Sequence, residues 1–343
     1  VNGVNVLLLQ LDGTGANLAL MRLAAHHRRL GDRVELRRTY TAGAVERQLG
    51  DAFDRVYAST IFHKTRAVAD RVKRVYPDAA IGGTGWAVGT NLATVGVETR
   101  GPLDYSDYPR HTESIGFTQR GCRLSCKFCG VPLEEGRPVE WDDIPTIYRG
   151  EPWPRNILLL DNDFFGVPSW PKRIAELQAG NFKVSFNQGI NARMLSDEAA
   201  AAIASVRYSD RKFTRKRIYT AWDNLKDEDT LFRGMEALVR HGVKPDEVMV
   251  YVLIGYDHKG RCALPRLTPE DFYRTDRLRE FGARPYPMPY VLTDELRGFA
   301  RWHQGGYHKT VPWAAWVANR YRPEGIGRRG GDTPLFPEDE PCA

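Results

Sequence analysis

Gln119-Arg120-Gly121-Cys122-Arg123-Leu124-Ser125-Cys126-Lys127-Phe128-Cys129-Gly130 is the stretch on which the reading of this 343-residue chain turns. Three of the five cysteines fall within eight residues here, at the spacing C-x3-C-x2-C. Such crowding is the pattern of a ligand set in a reducing compartment, not of a disulfide framework. Three thiolates from one loop can reach three irons of a cubane cluster and leave the fourth iron open to a substrate-like ligand. Gly121 and Gly130 let the loop bend around such a group. Two other readings compete: a zinc site, which needs a fourth ligand such as His111 to complete a tetrahedron, and three structural thiols with no metal. Cys262 and Cys342 stand apart, too few and too separated for a second cluster.

Outward from this loop toward the C-terminus, strand and helix alternate with a long repeat. Strands are expected at Ser114-Thr118, Asn156-Asp161, Lys183-Asn187, Arg217-Ala221, Glu247-Ile254 and Arg284-Tyr290. Helices fit between them at 171–179, 196–205, 227–241, 269–281 and 293–303, with Ser196 and Thr293 as N-caps. Six βα units with right-handed crossovers curl into a partial, TIM-like parallel barrel over residues 113–305. In such a barrel chemistry collects where strands end, and the cysteine loop directly follows the first strand.

Toward the N-terminus the rhythm is shorter. Val4-Leu11, Arg33-Arg37, Arg55-Ser59 and Ala79-Gly83 read as strands, with helical stretches at 18–30, 45–49 and 67–76. This α/β pattern is that of a doubly wound, Rossmann-like domain over 1–101. The polar, Tyr-rich segment 102–112 reads as a linker, and 306–343 as a C-terminal extension that turns to Pro, Gly and charge past Tyr321. The Gly82-Gly83 pair closes the last strand as a tight turn or as a place where backbone approaches a ligand.

Composition narrows the classes. At 42% hydrophobic and 27% charged, the chain is globular, and its apolar runs are too short to cross a bilayer, so a cytoplasmic protein with no membrane partner is expected. A net charge of +6 and a pI near 9.0 favour an anionic partner such as nucleic acid. The densest basic run, 207–217, interleaves aromatics, yet lies in a helix-to-strand connection away from the cysteine end of the barrel, where it contacts a partner remotely or is simply solvated. Oligomeric state is not legible.

The strand, the C-x3-C-x-aromatic-C loop and the βα units after it resemble the radical S-adenosylmethionine (radical SAM) superfamily over about residues 113 to 305. That resemblance implies a [4Fe-4S] cluster on Cys122, Cys126 and Cys129, and cleavage of SAM to a 5′-deoxyadenosyl radical that abstracts hydrogen from substrate. It implies that Phe128 lies near the adenine. Asp161, Asn162 and Asp163, after the second strand, stand where the family binds the SAM ammonium, although its usual Gly-Gly-Glu is absent; helix capping is the alternative use of the two aspartates. Asn187, Gln188, Asn191 and Arg193 would bond the ribose or the SAM carboxylate, Arg193 as a bidentate clamp, unless they form an ordinary polar loop. Asp223 would take the ribose, and Ile254 with Gly255 would line the base.

The N-terminal domain resembles the cobalamin-binding domain that precedes the barrel in one radical SAM class, shortened and without its Asp-x-His-x-x-Gly segment. Cobalamin therefore ranks below a role in structure or substrate docking, and His63 reads as a surface residue. The layout also resembles radical SAM proteins of phage hypermodification pathways, which implies modification or rearrangement of a nucleic-acid base, with flavodoxin or ferredoxin as electron donor. A cobalamin-assisted methyltransferase and a peptide modifier are the alternatives among enzymes. A nucleic-acid-binding protein with a structural zinc is the alternative outside them.

Overall fold

A computed structural model describes residues 3–46, 52–87 and 90–318. The tail expected past Tyr321 lies outside the described residues, as does part of the helical stretch expected at 45–49. The chain divides into two compact units, 1–118 with 141–157, and 119–140 with 158–343. The division crosses the chain three times, and it groups the strand at 114–116 with the first unit.

The first unit is built on β1 (Asn5–Gln10), α1 (Leu18–Arg29), β2 (Arg33–Arg38), β3 (Arg55–Ser59), α2 (Arg66–Val75) and β4 (Ala80–Gly82). Its four strands are parallel in the order β2-β1-β3-β4. The run Val6-Leu7-Leu8-Leu9 explains why β1 is central. Period two sends Val6 and Leu8 to one face, against Leu20, Leu23 and Ala24 of α1. Leu7 and Leu9 go to the other face, against Val68, Ala69 and Val72 of α2. Both faces are thus covered, as a parallel sheet requires. The order reverses between β1 and β3, the place where such sheets open a crevice at their C-terminal ends.

β5 (Ser114–Gly116) follows the segment read as a linker, which is anchored rather than free. Tyr105 and Tyr108 are buried there. The Tyr108 hydroxyl donates to Gln10 Oε1 at 3.1 Å, the Ile115 N–H donates to the Tyr105 hydroxyl at 2.9 Å, and Arg28 pairs with Asp104 and Asp107.

The second unit opens with β6 (Gln119–Arg120), α3 (Val131–Glu134) and β7 (Val139–Glu140); β6 and β7 pair antiparallel. α4 (Ile144–Ile147) belongs to the first unit. Then come β8 (Asn156–Leu159), α5 (Trp170–Ala179), β9 (Lys183–Phe186), α6 (Asp197–Ser205), β10 (Arg207–Tyr208), β11 (Ile218–Ala221), α7 (Glu228–Arg240), β12 (Val248–Ile254), β13 (Tyr256–Asp257), β14 (Cys262–Ala263), α8 (Pro269–Phe281), β15 (Arg284–Pro289), α9 (Asp294–Gln304) and α10 (Trp313–Ala318). β8, β9 and β10 are neighbours in one sheet, and β11, β12 and β15 form another in parallel register. The expected βα strands are present within about two residues. The ladder, however, breaks between β10 and β11, so the strands form two sheets where one continuous sheet was expected. The short strand β10, inside the basic run, was not anticipated.

Local rules account for these elements. Ser196 Oγ accepts from the Ala199 N–H at 3.1 Å and Thr293 Oγ1 from the Leu296 N–H at 3.3 Å, so both expected caps close their helices. In β12, Val248, Val250, Val252 and Ile254 are fully buried, while Tyr251 on the other face stacks on Tyr219 and meets Tyr286 edge-on. Each such buried aliphatic side chain contributes roughly 1.5–3 kcal/mol of transfer free energy. No helix among the described residues is long and apolar enough to cross a membrane.

Candidate metal and cofactor site

The cysteine loop is a hairpin excursion with a tied base. β6 and β7 pair through Gln119 with Glu140 and Arg120 with Val139, and the Cys122 N–H donates to the Gly136 carbonyl at 3.1 Å. Gly121 sits at φ +87°, and a Cβ there would lie 2.4 Å from the Arg137 carbonyl oxygen, so only glycine fits. Glu135, which the sequence reading passed over, accepts from Arg120, from the Gly121 N–H at 2.8 Å and from Asn162 Nδ2 at 3.0 Å.

The residues that follow β8 hold this loop. Asp161 Oδ1 accepts from the Gln119 N–H at 3.3 Å, and Asn162 reaches Glu135. Asp163, fully buried, takes Arg123 with both oxygens, at 2.6 and 2.8 Å, and also the Arg123 N–H at 3.1 Å. Neither aspartate side chain caps a helix: Asp163 precedes a short 3-10 turn with no side-chain cap bond. On the far side Phe128 meets Tyr256 and His258 edge-on, with centroids 5.6 and 5.9 Å apart, and joins the cluster of Leu253, Ala263 and Tyr290. The loop is therefore gripped from β8 by charge and from β12 by aromatic packing.

Within the loop the three thiols are mutual neighbours, each half-buried. Burial pushes all three up, Cys129 to about 11, so thiolates form there only when a cation compensates them. Among the described residues no three His, Cys, Asp or Glu side chains converge on one point as a single ion demands. His111 stacks on Tyr105 and faces Glu113, within the first unit. A cubane asks for something else, one thiolate at each of three irons, and three thiols spaced along one pinned loop suit that donor set.

The third and fourth strand ends bring the remaining polar groups to this place. Arg193 is close enough for its charge to act on the Cys126 thiol, and it donates to Asp227 Oδ2 at 2.9 Å and to Asn191 Oδ1 at 3.3 Å. Asn191 Nδ2 is buried without a partner, and so are both polar atoms of the fully buried Gln119 carboxamide and the hydroxyl of Ser185. Buried donors and acceptors of this kind are completed by a ligand or ordered water. Asn187 is half-buried and Gln188 exposed, with no side-chain bond of their own. Asp223 is buried beside Arg193, Arg274 and Asp227; loss of hydration outweighs the two cations and pushes its carboxyl up to about 6.

The two fifth-strand residues lie within the packed ladder and its end. Ile254 is fully buried in the ladder with Pro289, and the close approach at Gly255 is made by the Leu296 side chain. Arg274 was missed altogether. It is buried and donates to the carbonyls of Trp222, Asp223 and Leu253 at 2.8–2.9 Å and to Asp271 at 2.6 Å, which locks the ends of β11 and β12 together. No spacing pattern marks such a residue, since its partners are backbone oxygens far away in sequence.

In the first unit Asp12 ties the end of β1 to the loop after β3 through Oδ2, while its Oδ1 is buried without a partner. Asp12 Oδ2 accepts from Thr60 Oγ1, the N–H groups of Ile61 and Phe62, and Thr65 Oγ1, all at 2.8–3.1 Å. Gln10 Nε2 ties the carbonyls of Asp12, Gly13 and Gly15. Gly83, at φ +102°, is approached by the Thr60 carbonyl, 2.1 Å from where a Cβ would stand, so its neighbour is backbone and not a ligand. No histidine stands on the loop from Asp12 to Ala16, and His63 is exposed. These residues do not fit a corrinoid held through an axial histidine.

No family model matches the chain, and no curated protein does. Among solved structures, the radical S-adenosylmethionine methyltransferase TsrM from Kitasatospora setae, with tryptophan substrate and the SAM analogue aza-SAM bound, is similar. The match has a TM-score of 0.54 at 13% identity and covers 83% of this chain and 72% of that one. The chain shares that enzyme's fold, a mixed α/β architecture with parallel sheets.

Proposed function

We propose that this chain is a radical SAM enzyme that abstracts hydrogen from a nucleic-acid base or its substituent. The observation that carries the enzyme class is the pinned C-x3-C-x2-C loop with Arg193 against Cys126, in a fold shared with a radical SAM methyltransferase. Cys122, Cys126 and Cys129 would hold a [4Fe-4S] cluster. Such a cluster, given an electron by flavodoxin or ferredoxin, would supply the one-electron reduction by which SAM is cleaved.

The chain's own residues bind and orient. Arg193 presents a planar fork that matches the SAM carboxylate, and Asp227 and Asn191 hold the fork in place. Asp163 is committed to Arg123, so within the triad after β8 the acceptor for the SAM ammonium is Asn162 Oδ1, with Asp161 beside it. Asp223 bonds the ribose hydroxyls. Phe128 stays with the adenine side, while Ile254 serves the core beneath it. The hydrogen taken from substrate would end on 5′-deoxyadenosine. Gln119, which opens the cysteine loop, offers the buried, open carboxamide atoms suited to a donor and acceptor edge on the substrate.

The test is anaerobic reconstitution with iron and sulfide, then reductant and SAM, with 5′-deoxyadenosine quantified in the presence of DNA, tRNA or peptide pools. Formation that rises with a nucleic-acid pool and falls to background in Cys126→Ala is the expected result. Zinc in place of iron, with no deoxyadenosine, overturns the reading in favour of a binding protein. The shared fold with an enzyme named as a methyltransferase favours methyl transfer as a second reading, and a methylated product distinguishes it.

A further inference from the structure

We propose that a basic groove at the N-terminal ends of β9 and β11 docks the phosphodiester backbone of the nucleic acid on which the enzyme acts. This deepens the substrate reading above and rests on it. The groove encloses about 300 Å³, and its cations are Lys183, Arg207, Arg215 and Lys216; Arg211 and Lys212 flank it. Lys183 is half-buried and the other five are exposed.

Two features separate this surface from an ordinary solvated charge run. The first is that the only carboxylate in the run 207–217 is spent on backbone. Asp210 accepts from the Thr214 N–H at 2.8 Å, the Arg215 N–H at 3.3 Å and Thr214 Oγ1 at 3.1 Å, and so builds the turn that displays the cations. The second is that the bonds these cations make are to neutral groups. Lys183 donates to the Phe213 carbonyl, Arg207 to the Asn181 carbonyl and side-chain oxygen, and Lys216 lies over the Tyr208 ring. No ion pair involves the six cations among the described residues, and five of the six are exposed.

Of the two aromatics in the run, Phe213 is half-buried and Tyr208 is not available to bases. Tyr208 is buried, and its hydroxyl bonds Glu247. The groove's cations are assigned to phosphate, a contact independent of base sequence. Lys183 opens β9, and Asn187 follows that strand at the end that carries the candidate SAM site, about 13 Å away at ~3.3 Å per residue. A ligand that occupied both ends would be a polymer, and competition by a mononucleotide distinguishes the two.

The experiment is fluorescence anisotropy of labelled single-stranded and duplex oligonucleotides on the anaerobically reconstituted full chain, across about 50–200 mM salt. Three proteins are compared: the native chain, Arg215→Glu with Lys216→Glu, and an equal charge change at exposed sites elsewhere, Lys172→Glu with Arg233→Glu. The groove variant is expected to bind at least ~10-fold more weakly at low salt, with the slope of log K against log salt reduced by about 2, since each phosphate contact contributes ~0.9. The control variant is expected to keep the native slope. Equal losses in both variants, or competition by inorganic phosphate or a mononucleotide at the same charge concentration, overturn the proposal. SAM cleavage without nucleic acid is measured beside it. Its survival in the groove variant shows that any failure belongs to docking, and its absence in the native chain shows that the radical SAM reading has failed instead.

Discussion

Each unit carries an aspartate just past a parallel strand, and the two are used differently. Asp12, after β1, gathers four donors from the loop that follows β3 onto one oxygen, at the place where a doubly wound sheet ordinarily opens. Asp163, after β8, gives both oxygens to Arg123 on the cysteine loop, and beside that loop Gln119, Ser185 and Asn191 keep buried polar atoms without partners. The difference is one of degree: Asp12 keeps Oδ1 buried without a partner, whereas in the second unit both polar atoms of the Gln119 carboxamide and Nδ2 of Asn191 are left so. The fold permits a site at both; the side chains decide.

Three substitutions sharpen or break that contrast. The largest effect is expected for Asp163→Ala. It strands Arg123, and breaking a buried pair costs about 3–5 kcal/mol; Arg123 is about a quarter exposed, which sets the expectation at the lower end. Urea unfolding should show that loss, and reconstituted iron per chain should fall with it. Full iron loading in this variant would break the assignment of Asp163 as the anchor of the loop.

Asp12→Ala should cost a similar or slightly smaller amount, roughly 3 kcal/mol, because buried donors lose their acceptor together. SAM cleavage per iron should stay at the native level. A variant that remains stable but loses SAM turnover would show that the first unit takes part in the chemistry after all.

The smallest effect concerns His303, which belongs to neither set of strand ends. It is buried among Phe299, Trp302 and His308, with both ring nitrogens unpartnered, and burial, then His308 and Arg279, depress it to about 3. The unfolded chain, at 6.5, binds the proton more tightly, so stability present above that value is lost as pH falls toward 3. Between pH 7 and pH 5 the loss is about 2 kcal/mol, at ~1.4 kcal/mol per unit. His303→Phe should flatten that part of the pH dependence in urea melts. An unchanged slope would place the titration elsewhere, with half-buried His258 as the next group depressed by burial.

Much of this was legible from residue order. Apolar runs such as Val6 to Leu9 and Ile157 to Leu159 set the buried strands, because a strand covered on both faces needs no polar alternation. Ser196 and Thr293 marked their helices, because a cap bond spans only three residues. The cysteine loop announced itself by spacing, since its ligands share one turn of chain. Its supports did not: Glu135, Asp163 and Arg274 act on groups 14 to 52 residues away, and nothing local encodes those partners.

By itself, then, the sequence determined the succession of strands and helices, the three thiols and the basic run, all of which depend on neighbours within a few residues. Tertiary structure alone decided that Asp163 grips the loop, that Gly83 and Gly255 are approached by protein, and that the ladder breaks between β10 and β11. It also decided that Asp210 spends its carboxylate on a turn and leaves the cations around it exposed. The physical reason is the same in each case: a buried polar or charged group takes whichever partner the packed chain brings within hydrogen-bonding distance, and that partner is fixed by the fold as a whole.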